Sequence, residues 1–402
     1  MIGKTEFMIG GWLAPAQNAE EDYRLAKACG VNTMYLIGEA CGWVGDKEQT
    51  RAVEICSACG MAAIPMVENN LERVCCKDFL QYDNIPAVIL YDEPSAELFP
   101  KLSKTIREFR KFYPDRIRSE INLLPSYSTE AVLGTKDYPE YVERFVGELL
   151  PEMSDNKVLS IDYYPLYSSE DGYVLDPGWL KCLSVLTYHA KRSNTPTHCF
   201  IQTMPFAKAN DVAQNFETLR FQFMTYLAMG FRAFTHFCYA SPGISETFLE
   251  HQEAIVGRDG KPTGLYEPVR QVNALIQTFA EAYLRYAYEG TCGIAADGGP
   301  TPDDFANWMW QLEKNDLPVN EIHTTCNLLV GKFRDDEGRQ ALFLTNYTFG
   351  DSQMARIDLD FGQRMSLSVH QNGKTQEAFT ADGHFSMDLE SGNGSFIEIK
   401  GE

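Results

Sequence analysis

Residues 1–290 alternate short apolar segments with longer amphipathic ones. Apolar runs rich in Val, Ile and Leu between turn residues are typical of buried parallel strands, and amphipathic segments that end on Gly or Pro are typical of helices. Eight strands are predicted, at residues 7–12, 31–37, 61–67, 87–92, 118–124, 157–164, 198–202 and 231–239. Eight strand–helix units of about 30 residues fit a (β/α)8 TIM barrel better than an open doubly wound sheet.

The pattern changes after residue 290. Pro, Gly, Asp and Thr crowd residues 298–304, so residues 291–324 are predicted to be a connector. From residue 325 to residue 402, short stretches of alternating polar and apolar residues are separated by turn residues, which is typical of a small antiparallel β-sandwich. We therefore expect a catalytic barrel over residues 1–290 and a β-sandwich domain over residues 325–402 whose role is to stabilise the barrel.

The fourth predicted strand ends in Asp92-Glu93-Pro94. Proline cannot extend the hydrogen-bond ladder, so both carboxylates lie at the strand's C-terminal tip, where TIM barrels build their active sites. Alternation along a strand predicts that Asp92 and Glu93 point in different directions, with Tyr91 on the side of Glu93. Glu93 is the predicted inward carboxylate. The alternative is an Asp-Glu-Pro sequence that only caps the next helix.

The sixth predicted strand repeats this pattern, because Asp162 lies at its tip before Pro165 and shares a side with Ser160. Two carboxyl groups at one end of a barrel can act as a general acid and a base, so Glu93 and Asp162 are the predicted catalytic pair. The residues predicted to bind substrate are polar or aromatic and lie near strand ends, although core packing is an alternative for each aromatic and for the strand histidine. They are Trp12, Glu39, Trp43, Asp92, Asn122, Tyr164, Gln202, His236 and Tyr239.

Charge and cysteine content narrow the classes of partner. The net charge of −21, from 56 acidic and 35 basic residues, repels phosphate backbones and anionic lipid, so neither nucleic acid nor membrane is an expected partner. Aromatic residues at 12% suit stacking on sugars. The 11 cysteines show no framework spacing, and Cys56-x-x-Cys59 lacks a second pair, so buried reduced thiols and a cytoplasmic location are expected. A homo-oligomer is left open.

No cofactor or metal is predicted. Carboxylates and His236 on barrel strands leave a metal-dependent sugar isomerase or epimerase conceivable, but no His-x-His or His-x-x-x-His pair supports one.

The eighth strand carries a resemblance to a known family. Gly230-Phe-Arg-Ala-Phe-Thr-His-Phe-Cys-Tyr-Ala-Ser-Pro242, followed by Gly257-Arg-Asp-Gly-Lys-Pro-Thr-Gly-Leu-Tyr266, resembles the last strand and closing helix of clan A (β/α)8 glycoside hydrolases related to family 42 β-galactosidases. The resemblance implies a glycosidase whose acid/base is a glutamate after strand four, a position that Glu93 matches. It also implies a glutamate nucleophile at the end of strand seven, where this chain has Gln202.

Three explanations of Gln202 stay open. Another acid could supply the second carboxylate, with Asp162 first and Glu39, Glu68 and Glu246 behind it. The enzyme could invert, which the two-strand offset between Glu93 and Asp162 favours, since inverting carboxyls are about 6.5–9.5 Å apart and retaining ones about 5–5.5 Å. The third explanation is a degenerate barrel that binds carbohydrate without hydrolysing it. The sugar, its anomer, endo or exo action and the oligomeric state are not determined by the sequence.

Overall fold

The computed structural model describes residues 5–15, 18–37, 46–67, 81–113, 116–169, 172–205, 210–212, 214–246, 248–306, 308, 312–348 and 353–401. Its N-terminal strands, in chain order, are β1 (Met8–Gly11), β2 (Thr33–Leu36), β3 (Ala62–Pro65), β4 (Ala87–Asp92), β5 (Arg118–Leu123), β6 (Leu159–Asp162), β7 (Leu166–Ser169), β8 (Gly172–Leu175), β9 (Thr197–Gln202) and β10 (Ala233–Phe237).

Eight of these strands form one parallel sheet in the order β3-β2-β1-β10-β9-β6-β5-β4. A parallel bridge between Met66 and Ile89, next to a hydrogen bond from the Val67 N–H to the Ile89 carbonyl at 3.0 Å, joins the two edges and nearly closes the barrel. The eight predicted barrel strands are therefore confirmed. Because the strands are parallel, the tips of β4, β5, β6 and β9 meet at one end of the barrel.

Helices cover the outside of the barrel. They are α1 (Glu20–Ala28), α2 (Asp46–Ala58), α3 (Phe99–Phe112), α4 (Glu130–Leu133), α5 (Tyr138–Glu148), α6 (Trp179–Arg192), α7 (Phe216–Ala228) and α8 (Tyr266–Tyr283). The start of α7 shows how the sequence sets a helix boundary: Asn215 accepts a hydrogen bond from the Thr218 N–H at 2.9 Å, and the Thr218 hydroxyl accepts one from the Asn215 N–H at 2.9 Å. This capping box fixes where the chain leaves the β9–α7 loop.

The segment after β6 contains an antiparallel hairpin, β7 paired with β8. The Ser168 hydroxyl donates to the Asp211 carbonyl at 2.6 Å, so the hairpin is attached to the loop that follows β9. Within the part of the chain that the structure describes, no helix is long and apolar enough to cross a membrane.

The C-terminal strands form two antiparallel sheets. They are β11 (Ala287–Ile294), β12 (Glu321–Thr324), β13 (Leu328–Arg334), β14 (Gln340–Asn346), β15 (Ala355–Asp360), β16 (Ser366–Gln371), β17 (Lys374–Phe379), β18 (His384–Leu389) and β19 (Gly394–Gly401). The larger sheet has the order β11-β13-β14-β19-β16-β17, and the smaller has the order β12-β15-β18. Strands β11 and β12 thus lie in segments predicted as barrel end and connector.

The larger sheet uses both of its faces. On β13, Leu329 and Phe333 join the core of the barrel, where the Phe333 ring lies 5.0 Å from that of Tyr283. The alternate residues Leu328 and Val330 join the core between the two sheets. One sheet therefore packs on the barrel and on the smaller sheet at once, consistent with the stabilising role expected of this module.

Candidate active site

The tip of β4 departs from regular strand geometry just where its carboxylates lie. A β-bulge separates the pairs Ile89–Glu120 and Tyr91–Ile121, after which Asp92 pairs with Asn122 of β5. Glu93 then adopts a φ of 50°, in the left-handed region that non-glycine residues rarely occupy. A bulge and a left-handed residue thus interrupt the regular strand geometry on which the expected alternation of Asp92 and Glu93 was based, and the different directions of the two side chains stay a prediction.

Glu93 and Asp162 meet at this end of the barrel. Their carboxyl groups form a hydrogen bond with each other, although β5 lies between their strands. The wide separation that the two-strand offset favoured is therefore wrong, because the backbone turn at Glu93 lets its side chain reach across β5. Two carboxyl groups in hydrogen-bond contact share a proton, since two adjacent negative charges repel each other.

Both members of this carboxyl pair have raised pKa values. Burial, followed by the negative charge of Asp92, raises the pKa of Glu93 to about 7, against a lowering by the hydrogen bond from Asp162. Burial and then the charge of Glu93 raise the pKa of Asp162 well above its usual range, and a hydrogen bond from Asn122 opposes that rise. The pair therefore keeps a proton near neutral pH, as an acid–base pair requires.

Asn122 forms a hydrogen bond to one member of the carboxyl pair. Its amide donates to Asp162 Oδ1 at 2.9 Å, and its side-chain oxygen accepts from the Ser160 hydroxyl at 2.7 Å. Its second amide N–H is not used by these two bonds, so a contact of Asn122 with sugar hydroxyls stays a prediction. Asn122 pairs with Ser160 in the β5–β6 register, which places its amide beside Asp162 on the same strand as Ser160.

Gln202 lies at the end of β9, as predicted, but it does not face a ligand. Its side-chain oxygen accepts from the Leu166 N–H at 2.9 Å, and its amide donates to the Leu166 carbonyl at 2.9 Å. The side chain is fully buried. A substrate-binding role is therefore wrong: Gln202 attaches the β6–β7 connection to β9 through a two-point contact that needs both a donor and an acceptor.

His236 and Tyr239 also pack inside the protein. His236 Nδ1 lies 2.8 Å from the Thr203 hydroxyl and Nε2 lies 2.8 Å from Asn273 Oδ1 of α8, so its ring fills the layer between barrel and helices. Tyr239 is 1% exposed, and its hydroxyl donates to the Asp22 carbonyl of α1 at 3.4 Å. Both predicted substrate contacts are wrong, because each side chain is buried and its polar atoms contact other protein groups.

The other two predicted aromatic residues that the structure describes are mostly buried. The Tyr164 ring lies tilted against that of Phe237 with centroids 5.0 Å apart, and the charges of Asp162 and Glu93 both act on its hydroxyl. Trp12 is 9% exposed and packs against Tyr35 and Phe200, with ring centroids 5.4 and 5.1 Å away. Trp12 thus belongs to the aromatic layer inside the barrel.

Tyr127, in the loop after β5, was not predicted. It is 51% exposed, its ring meets that of Tyr163 edge-on at 5.2 Å, and the charges of Asp162 and Glu93 act on its hydroxyl. No periodic pattern marks a loop residue, but its place just after the tip of an active-site strand is a signal that sequence analysis could have used.

The remaining predicted residues give less information about the site. Glu39, Trp43 and Glu68 lie outside the described residues, and Glu246 is exposed in the segment after β10. Asp92 is half-buried next to Glu93, and a contact of Asp92 with substrate stays a prediction. Among the described residues, no group of three or more His, Cys, Asp or Glu side chains is arranged to hold a metal ion.

No protein-family model and no curated protein matches the sequence. Solved structures do match over nearly the whole chain. The β-galactosidase from Bacillus circulans sp. alkalophilus is 9% identical, with a TM-score of 0.63 over 98% of this chain and 99% of that one. A putative α-galactosidase/melibiase from Bacteroides fragilis is 9% identical, with a TM-score of 0.53 over 99% and 80%. The GH27 β-L-arabinopyranosidase from Geobacillus stearothermophilus is 7% identical, with a TM-score of 0.51 over 98% and 96%. At these identities the likeness is one of fold: this chain has the TIM-barrel architecture of glycoside hydrolases, and no single family, family 42 included, is singled out.

Proposed function

We propose that this protein is a glycoside hydrolase whose catalytic pair is Glu93 and Asp162. The observation that carries the proposal is the hydrogen-bonded carboxyl pair at the C-terminal end of the barrel, where one proton is shared between two raised-pKa acids. The solved structures named above support it, because they are a β-galactosidase, a putative α-galactosidase and a β-L-arabinopyranosidase.

The immediate partners of the two carboxyls suggest different roles. The charge of Asp92 favours a proton on Glu93, which suits the general acid that protonates the leaving oxygen. The N–H of Asn122 favours an ionised Asp162, which suits the group that supports positive charge at the anomeric carbon. Burial opposes the ionisation of Asp162. The division of roles between the two carboxyls therefore depends on their polar neighbours, Asp92 and Asn122.

The contact between the carboxyls favours a retaining reaction. Groups that touch in the free protein are closer to the spacing of about 5–5.5 Å in retaining enzymes than to the 6.5–9.5 Å that leaves room for a water in inverting ones. In the retaining route, Asp162 attacks the anomeric carbon while Glu93 gives its proton to the departing oxygen. Glu93 then takes a proton from the water that releases the sugar from Asp162.

The test is hydrolysis of an aryl glycoside panel that includes α- and β-galactosides and arabinopyranosides. For the active substrate, Glu93→Gln and Asp162→Asn should each lower kcat by about 10²–10⁴-fold. Glu281→Gln, the matched change at an exposed acid of α8, should leave kcat unchanged. NMR of the first-formed anomer distinguishes retention from inversion.

Three results would count against parts of this proposal. Full activity in both variants would exclude the carboxyl pair. Inversion of the anomer would exclude Asp162 as nucleophile. Sugar binding by the wild type without turnover across the panel would favour the alternative of a non-hydrolytic carbohydrate-binding barrel.

A further inference from the structure

A series of buried polar side chains runs from the carboxyl pair across the barrel interior. Asn122 Nδ2 lies 2.9 Å from Asp162 Oδ1, and Ser160 Oγ lies 2.7 Å from Asn122 Oδ1. His198 Nδ1 lies 2.8 Å from Ser160 Oγ, and its Nε2 lies 2.8 Å from Thr235 Oγ1. These residues come from four neighbouring strands, β5, β6, β9 and β10, and the series is buried below Asp162.

The number of hydrogens that each side chain can donate determines which group is the donor in every hydrogen bond of this series. Asn122 donates its N–H to Asp162, so its carbonyl oxygen faces Ser160, whose single hydroxyl hydrogen it accepts. Ser160 has no second hydrogen, so it can only accept from the ring of His198. Nδ1 of His198 therefore carries a hydrogen.

The other ring nitrogen completes the assignment. Burial lowers the pKa of His198 to about 4, so the ring is neutral above pH 5 and carries a single N–H. With that hydrogen on Nδ1, Nε2 is an acceptor, and the single hydrogen of the Thr235 hydroxyl is donated to Nε2 rather than to the Tyr35 hydroxyl, its other neighbour. Every bond in the series then points toward Asp162.

We propose that His198 is a positioning residue, which through Ser160 fixes the Asn122 amide so that Oδ1 of Asp162 always accepts. The shared proton of the carboxyl pair therefore lies between Glu93 and the other carboxyl oxygen of Asp162. With the hydrogen on Nε2 instead, Ser160 would donate to Nδ1 and release the Asn122 oxygen. The freed amide could rotate and turn its oxygen on the carboxylate, a repulsive contact. This inference rests on the proposed function for its effect on catalysis, but not for its geometry.

The surroundings of His198 keep the ring in place. Tyr35 of β2 stacks on it at 6.1 Å and Phe200 of β9 meets it edge-on at 5.2 Å. The charged groups that face it are Glu120 and Arg118 of β5, which pair with each other and act on its pKa in opposite directions. Asp162 itself faces the charge of Glu93, which in turn faces that of Asp92, and the Tyr127 and Tyr164 hydroxyls are nearby.

The first test needs no substrate. In histidine-labelled wild-type protein at about pH 7.5, roughly one unit above the ordinary histidine pKa, the ¹⁵N shifts of His198 should show the Nδ1–H tautomer. The signal is assigned by its loss in a His198 variant. In Ser160→Ala, which removes the acceptor, that preference should weaken. A wild-type His198 in the Nε2–H form would overturn the inference, whatever the protein hydrolyses.

The second test uses two substitutions that differ in where they place an amide. The shorter side chain of His198→Asn can put its nitrogen where Nδ1 lies, whereas that of His198→Gln reaches the position of Nε2. We expect His198→Gln to lower kcat by about tenfold or more with KM little changed, because Asp162 loses its fixed donor. Its acid limb of the pH profile should move to higher pH, because the pKa of the pair rises. His198→Asn should stay within about threefold of wild type.

His236→Gln is the matched control. His236 is also a buried strand histidine with two hydrogen bonds of 2.8 Å, but its ring faces the helices. It should lower the melting temperature and leave the pH profile where it is. Equal loss of melting temperature in His198→Gln and His236→Gln, with no change of kcat or acid limb in either, would overturn the inference. A wild type that hydrolyses nothing would overturn the proposed function alone, because the tautomer decides the positioning geometry separately.

Discussion

Asp92 offers the sharpest test of the electrostatics of the carboxyl pair. Its charge is the second cause, after burial, of the rise in the pKa of Glu93 from 4.5 to about 7. Asp92→Asn keeps the size of the side chain and removes the charge. The variant should therefore lower the pH at which the pair loses its first proton, and the singly protonated pair, which is the catalytic form, should persist to lower pH.

The size of the effect follows from linkage. At 1.36 kcal/mol per pKa unit, the rise of Glu93 from 4.5 to about 7 favours folding by roughly 3 kcal/mol below pH 4.5 relative to pH above 7. The sign is that of an acid whose folded pKa is raised: the stabilisation is present below the unfolded pKa and disappears as the pH rises through the folded one. If the charge of Asp92 accounts for about one pKa unit, the free energy of unfolding should fall by about 1.4 kcal/mol less in the variant than in the wild type between pH 5 and pH 8.

Two assays measure this shift independently. The acid limb of kcat/KM against pH should move down by about one unit in Asp92→Asn. Urea unfolding of wild type and variant at pH 5 and pH 8 should show the relative gain at the higher pH without any substrate. Asp155→Asn, the same change at an exposed turn residue, should alter neither. An acid limb that stays at the wild-type pH, together with an unchanged pH dependence of unfolding, would refute the assignment of this pKa rise to Asp92.

Two further predictions concern residues whose roles differ from the sequence-based expectation or were missed by it. Gln202→Glu should not add a nucleophile. It should lower the free energy of unfolding, measured with urea, by about 1–3 kcal/mol, because a carboxylate would face the Leu166 carbonyl. Increased hydrolysis in this variant would contradict the structural role of Gln202. Tyr127→Ala should raise KM for the active glycoside by about tenfold with little change in melting temperature, because a half-exposed ring contributes more to a bound sugar than to the core. Phe112→Ala, at an exposed aromatic where α3 ends at the opposite face of the barrel, is its control, and an equal KM change in both would contradict a sugar contact.

The barrel could be predicted because its strands are buried on both faces. The run Ala87–Leu90 is continuously apolar, and the middle of Thr197–Gln202 is apolar as well, a pattern that depends on burial alone. The missed strands lack that pattern. Lys374–Phe379 forms an edge of the larger sheet and is mostly exposed, so it has no apolar face to alternate. The β7–β8 hairpin is likewise short and partly exposed.

For the candidate site, the residues at the strand ends could be predicted from the sequence, but the contacts between them could not. Glu93 and Asp162 follow from the tips of apolar runs before proline. Their contact depends on the bulge near Leu90 and the left-handed φ of Glu93, which no local sequence pattern specifies. The role of Gln202 depends on Leu166, 36 residues earlier in the chain, so the amide at that position does not by itself imply a degenerate site.

The inward face of β5 explains how this barrel orients an acid without a charge beside it. Barrel interiors are usually filled by branched apolar side chains, yet β5 carries Arg118, Glu120 and Asn122 on one side. Arg118 and Glu120 pair with each other, and the Tyr35 hydroxyl donates to Glu120 at 3.1 Å, so these charges are satisfied among themselves. A buried ion pair is weak support for stability. Its effect here is that the two charged side chains of β5 neutralise each other, and Asp162 is oriented by a neutral amide. A neutral donor can favour the anion while still allowing the shared proton to move to Glu93, whereas a neighbouring cation would hold both acids ionised.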